Sequence, residues 1–121
     1  MKFVILFFVF LVAFEHIYFM ILEMFFWTKP KGLKAFGMKL EQAEASKVLA
    51  ANQGLYNGFL AAGLIWGGVA QLTNVIIFFL ACVVIAGVYG AYSTQKIRLF
   101  YVQGIPALIG LILVLFTENI F

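Results

Sequence analysis

The sequence predicts an all-α integral membrane fold, a compact up-down bundle of four transmembrane helices built by a single domain over residues 1–121. Three observations carry that expectation. Apolar residues make up 65% of the chain and charged residues 11%, against about half and about a quarter in a water-soluble domain. Mean hydropathy is +1.09, and a bilayer is the solvent that accepts this much lipophilic surface. The charges gather in short stretches that separate four apolar runs, at approximately 3–27, 48–69, 75–92 and 99–116.

The first run, Phe3 to Trp27, exceeds the roughly 20 residues needed to cross a bilayer. Lys2 precedes it as in a secretory signal, yet no small-x-small cleavage site follows, and Glu15-His16 interrupts where a signal would end. It is read as an uncleaved spanning helix. Thr28-Lys29-Pro30-Lys31-Gly32 stops it, because proline and glycine break the helical period where charge begins. Residues 28–47 form a loop on the cytoplasmic side. Its second half is polar but helix-prone, with Glu44 and Lys47 at a favourable i,i+3 spacing, and leads into the second span as a surface extension.

Gln71 to Asn74 is a tight connection in which Thr73 or Asn74 caps the next helix. The third span is almost uniformly apolar, with Phe79 expected to face lipid. Ser93 to Arg98 turns the chain into the fourth span. Connections this short make consecutive helices antiparallel neighbours.

Charge sets the orientation. Lys29, Lys31, Lys34, Lys39 and Lys47 lie in the first loop and Lys96 and Arg98 in the third, which is seven of the eight Lys and Arg residues. By the positive-inside bias these loops are cytoplasmic and both termini lie outside. Trp27 and Trp66 then fall near opposite interfaces. The lipid bilayer is the expected partner. Nucleic acid is not, because no basic face exists beyond these short loops.

Polar side chains inside the spans are the candidate functional residues. Glu15 lies near the middle of the first span, where a charge costs several kcal/mol unless paired, neutralised or hydrated. His16 follows it, Tyr18 lies one turn away as a possible donor, and Glu23 lies about two turns further on. His16 and Glu23 point within roughly 20° of each other but are about 10.5 Å apart along the axis, too far for a direct bond. Two readings stand side by side: a structural network tying the first helix to its neighbours, or an acid/base site with Glu15, His16 and Glu23 as proton-transfer groups.

On the second span Asn52, Gln53, Tyr56 and Asn57 occupy one arc of about 140°. Gly54, Gly58 and Ala61 lie opposite, and Gly54-x-x-x-Gly58 permits close helix approach, so that Gly58→Leu is expected to disrupt packing. On the fourth span Gln103 sits beside Pro106, which removes a backbone hydrogen bond and distorts the helix. By depth, Glu23, Asn52, Gln53, Tyr56, Asn57, Tyr89 and Gln103 map to the cytoplasmic half, with Glu15 and His16 at its inner limit. The amides and Tyr56, Tyr89 and Gln103 are the expected ligand-binding groups.

The lone His16, without a His-x-x-x-His or Glu-x-x-His partner, makes a metal site unexpected. No nucleophile elbow, phosphate loop or dinucleotide fingerprint is present, so no cofactor is expected. Cys82, inside an apolar run, reads as a small hydrophobe.

Glu15-His16-x-Tyr18, Leu22-Glu23-Met24, the run Asn52-Gln53-Gly54-Leu55-Tyr56-Asn57-Gly58-Phe59-Leu60-Ala61-Ala62-Gly63, and Gln103-Gly104-x-Pro106-Ala107 resemble a bacterial membrane family known as domain of unknown function 1304. The resemblance covers essentially the whole chain and implies a four-span protein of the bacterial cytoplasmic membrane. It implies no activity and no catalytic residue. The expected function is binding of a small amphiphilic or lipid-like molecule in the cytoplasmic polar layer. The alternatives are a small transporter or channel, which four short helices would form as a homo-oligomer, and a structural partner of a larger membrane complex.

Overall fold

The computed structural model describes residues 1–121 and is all-helical, without strands. Five helices follow one another: α1 (Lys2–Phe25), α2 (Pro30–Phe36), α3 (Leu40–Val69), α4 (Thr73–Thr94) and α5 (Ile97–Phe116). Of these, α1, α4 and α5 are long and apolar enough to cross a membrane. The expectation of four such helices is therefore met in three. α3 is the longest, at 30 residues, but Glu41, Glu44 and Lys47 in its first turns and Asn52, Gln53 and Asn57 further on dilute its apolar content.

The second departure from expectation is α2. Pro30 does not merely end a helix. It occupies the first turn of a new one, where its missing N–H costs nothing and its fixed φ suits the helix. Gly37 closes α2 in the left-handed conformation (φ 62°, ψ 41°), which glycine adopts without steric cost. Gly32 is buried, and a Cβ there would collide with the carbonyl oxygen of Phe26, so α2 folds back on the end of α1 by backbone contact.

The chain forms two compact units, Met1–Glu15 with Leu60–Phe121, and His16–Phe59. In the first, the core is built from Ile5, Val9, Val12 and Ala13 of α1, Leu64 of α3, Ile76, Leu80 and Val83 of α4, and Ala107 and Val114 of α5. The buried positions on α4 (Ile76, Leu80, Val83, Gly87) step by four, three and four, the spacing that keeps one face toward a neighbour in left-handed helix packing. Phe79 falls on this seam. Its ring covers Gly63 and it packs against the core, while Phe78 is the outward residue, 62% exposed. The outward position, expected at Phe79, thus belongs to Phe78, a distinction a uniformly apolar helix conceals.

α3 ends with Leu72 N–H donating to the Gly67 carbonyl at 2.9 Å and Gln71 at φ 56°, a Schellman-type stop formed without glycine. Neither Thr73 nor Asn74 is the N-cap of α4. Leu72 holds that position, and Asn74 Oδ1 accepts from the N–H of Val75 at 3.0 Å. α4 and α5 pack along each other, closest where a Cβ on Gly87 would lie 3.1 Å from Gly104 Cα. The distortion expected beside Pro106 is a π turn over Phe100–Gly104, closed by Ile105 N–H donating to the Phe100 carbonyl. Proline cannot donate to the α-helical ladder, and the wider turn accommodates the break.

Candidate functional site

The second unit is a helical hairpin in which α3 runs antiparallel to the second half of α1. A Cβ on Gly54 would lie 2.7 Å from Met24 Cγ, 3.1 Å from Glu23 Cβ and 3.2 Å from the Met20 carbonyl oxygen. A Cβ on Gly58, one turn later, would meet Met20 alone, with Sδ at 2.7 Å. Gly54 is thus the point of closest backbone approach. Asn57 projects from α3 within about 60° of it, and the short amide reaches across to α1. Asn57 Nδ2 donates to Glu23 Oε1 at 2.5 Å, and each residue is only 7% exposed.

Two candidates from different helices thereby meet, both buried, beside the close approach of Gly54 to Met20, Glu23 and Met24. The sole ion pair, Lys47 with Glu44 at 3.3 Å, is exposed and elsewhere on α3, so Glu23 is held by a neutral donor and by no basic side chain. A carboxyl group engaged this way keeps a second oxygen able to accept from a ligand. His16 is 1% exposed, in edge contact with Phe19 at 5.5 Å between ring centroids. It belongs to the same unit as Glu23 and Asn57.

The remaining candidates are arranged differently. Asn52 and Gln53 are exposed, and Asn52 Nδ2 donates to the Val48 carbonyl of its own helix at 3.0 Å. Tyr56 is 57% exposed, its ring beside Phe59. The polar arc of α3 therefore divides: Asn57, at its edge, turns inward with the glycine face, and the other three turn outward. Glu15 is partly exposed, with Oε2 buried and without a hydrogen-bond partner. Tyr18 instead packs beneath a cation, with Lys31 Nζ 5.6 Å from its ring centroid.

Tyr89 and Gln103 belong to the first unit. Tyr89 is exposed and lines a shallow apolar groove with Val84, Ile85, Val88 and Tyr92. Gln103 is half-buried along α4, its Cγ 3.5 Å from where a Gly87 Cβ would stand. No group of three or more His, Cys, Asp or Glu side chains gathers in a metal-holding arrangement.

Sequence reasoning did not single out Ser46. Trp27 Nε1 donates to Ser46 Oγ at 3.1 Å while the indole packs on Phe36 at 4.9 Å between centroids. The indole thus fastens α2 to the first turns of α3. A tryptophan with one apolar body and one donor beside a breaker segment was the available signal.

The family described as "Protein of unknown function (DUF1304)" matches residues 10–115, a stretch that contains both halves of the Glu23–Asn57 pair. This chain belongs to that family. It is also 35% identical over 107 residues to "Uncharacterized protein YpaA" of Lactococcus lactis subsp. lactis (strain IL1403), an alignment covering 84% of this chain and 88% of that relative. No solved structure matches the chain.

Proposed function

We propose that this family member crosses a bacterial membrane four times, with both termini outside, and binds a small amphiphilic molecule at Glu23 and Asn57. Three apolar helices support the membrane placement, and α3 completes an even count of crossings. Parity supports this: the Lys2 ammonium lies 5.8 Å from the Phe121 ring centroid, so residues at the two ends of the chain share one side. Antiparallel contact with α1 from Gly54 onward supports the same assignment. The 30 residues of α3 span about 45 Å, longer than a hydrocarbon core of about 30 Å, which leaves the charged first turns in water.

The observation that carries the binding reading is the buried carboxyl–amide pair without a basic partner. Intramembrane ionisable residues are costly and mark binding or transfer sites by default, and paired helices can pack without one. The molecule would be an amphiphile presenting a donor to the Glu23 carboxyl group.

The test is the melting temperature of purified wild type and Glu23→Gln, each with and without membrane lipid extract. Gln keeps the shape and an acceptor for Asn57. Binding predicts stabilisation of wild type by extract, reduced in the variant, with similar baselines. A large drop in baseline with no extract effect in either protein would make the pair structural and remove the binding site.

A further inference from the structure

Of the four long helices, α3 alone falls short of the apolar content that marks a lone membrane crossing. Part of that shortfall lies on its outward face. Asn52, Gln53 and Tyr56 are exposed, and they flank Gly54, which stands against Glu23 and Met24 of α1. They therefore share the depth of the buried Glu23–Asn57 pair. Asn57 turns inward and is hydrogen-bonded there, whereas Gln53 carries its carboxamide outward without a partner in its own chain. Asn52 Nδ2 donates to the Val48 carbonyl at 3.0 Å, which leaves Oδ1 open as an acceptor. Polar side chains within a span face a protein interior or pair with one another, and Asn and Gln on a helix surface bond across to a neighbouring helix.

The outward face has the pattern of a helix seam. Leu49 and Tyr56, 74% and 57% exposed, are seven residues apart and point within about 20° of each other. Positions repeating at this interval face their copies in a parallel helix pair. Asn52 and Gln53 lie about 50° to either side of that line. A twofold axis along the membrane normal sets one flank of a helix against the opposite flank of its copy, at the same depth. Asn52 of each copy then meets Gln53 of the other. An amide carries both donor and acceptor, so this face is complementary to itself, which a face bearing one sign of charge is not.

We propose that the outward face of α3 docks a second copy of this chain, the two α3 helices packing in parallel with Leu49 and Tyr56 at the seam. The Gln53 carboxamide of each copy donates to Asn52 Oδ1 of the other, so two hydrogen bonds close symmetrically across the pair. The polar content that sets α3 apart is then covered on both sides, by α1 over Asn57 and by the second α3 over Asn52 and Gln53. This inference rests on the crossing of α3 proposed above and not on ligand binding at Glu23.

The test follows energy transfer between full-length copies labelled after Phe121, in phosphatidylcholine vesicles over a series of protein-to-lipid ratios. Wild type should associate. Gln53→Leu and Asn52→Leu should each weaken association about tenfold, since either removes both symmetric bonds. The double variant should lose little more than either single one, because the two amides are partners. Phe78→Leu, outward on α4, should leave association unchanged, and helicity shows that each variant is folded. Oxidation by copper phenanthroline gives a second reading. In a Cys82→Ala background, Leu49→Cys should cross-link to its copy, and Leu55→Cys, exposed but about 110° from the seam, should not. A wild type that stays monomeric at every ratio, equal cross-linking of the two cysteine variants, or additive losses in the double variant would overturn the interface. Reporters fused to the two ends of the chain separate this failure from that of the placement. Ends on one side with no association remove the interface and keep the crossing of α3, whereas ends on opposite sides remove the crossing and the interface with it.

Discussion

Adding a single methyl group to α3 should have opposite consequences at two glycines one turn apart. At Gly54 the new Cβ meets Met24 Cγ at 2.7 Å, Glu23 Cβ at 3.1 Å and the backbone oxygen of Met20 at 3.2 Å. The Met24 side chain can turn aside, but the carbonyl and the Glu23 Cβ move only with α1 itself. Overpacking of this kind costs about 1–3 kcal/mol, and three simultaneous contacts place Gly54→Ala toward the upper end. Alanine returns about 1 kcal/mol through helix propensity, leaving a net loss of about 1–2 kcal/mol. At Gly58 the obstacle is the Met20 thioether, with Sδ at 2.7 Å and Cγ at 3.7 Å. A flexible methionine yields cheaply, so the propensity gain should prevail, and Gly58→Ala should be neutral or stabilised by up to about 1 kcal/mol. Reversible unfolding in mixed micelles should separate the two variants by about 2 kcal/mol, or several degrees in Tm. Met24→Ala in the Gly54→Ala background should recover part of the loss but not all, because the backbone contact persists. A Gly54→Ala protein as stable as wild type, or a Gly58→Ala protein that is the weaker, would refute the assignment of closest approach to Gly54.

Other outcomes follow from the same geometry. Phe79→Ala should lower stability by about 2 kcal/mol, less than the 3–5 kcal/mol of a fully buried phenylalanine because Phe79 is half-buried. Phe78→Ala, at 62% exposure, should be nearly silent in the same unfolding assay. Gly87→Ala should destabilise, since its Cβ would stand 3.1 Å from Gly104 Cα, whereas Gly90→Ala meets only Gln103 Nε2 at 3.9 Å and should be tolerated. Trp27→Phe should cost about 0.5–1.5 kcal/mol through loss of the bond to Ser46. The loss in a Trp27→Phe/Ser46→Ala double variant should then fall short of the sum of the singles. A reporter active only outside the membrane, fused after Phe121, should be active, and a cytoplasmic-only reporter there silent; the reverse would invert the orientation.

The apolar helices were legible in the sequence because composition alone determines them. Long unbroken runs such as Val75 to Gly90 build a helix apolar enough to cross a membrane, and the distortion at Pro106 follows from one missing N–H. What tertiary contact decides was not legible. Pro30 and Gly32 read as breakers, yet Pro30 starts α2 and Gly32 is required by a neighbouring carbonyl that only the folded chain brings near. Phe78 and Phe79 are equivalent in a helix without polar residues to mark its faces. At the candidate site, Glu23 and Asn57 were each conspicuous as polar residues among apolar ones. Their pairing depends on the register of α3 against α1, which Gly54 fixes through contacts with Met20, Glu23 and Met24. Asn52, Gln53 and Tyr56 lie a fraction of a turn away and share none of it.

The π turn over Phe100–Gly104 also bears on how the length of this chain can vary. A π turn holds one residue more than an α-helical turn between the same two flanks. Removing one residue from an ordinary stretch of α5 would rotate Ala107, Gly110 and Val114 by about 100° away from the core they fill. Removing Val102, exposed and inside the wide turn, would instead let the helix close into regular geometry with those three residues still facing inward. The segment is where the fold tolerates a one-residue deletion, and a relative one residue shorter there would present the same face to α4.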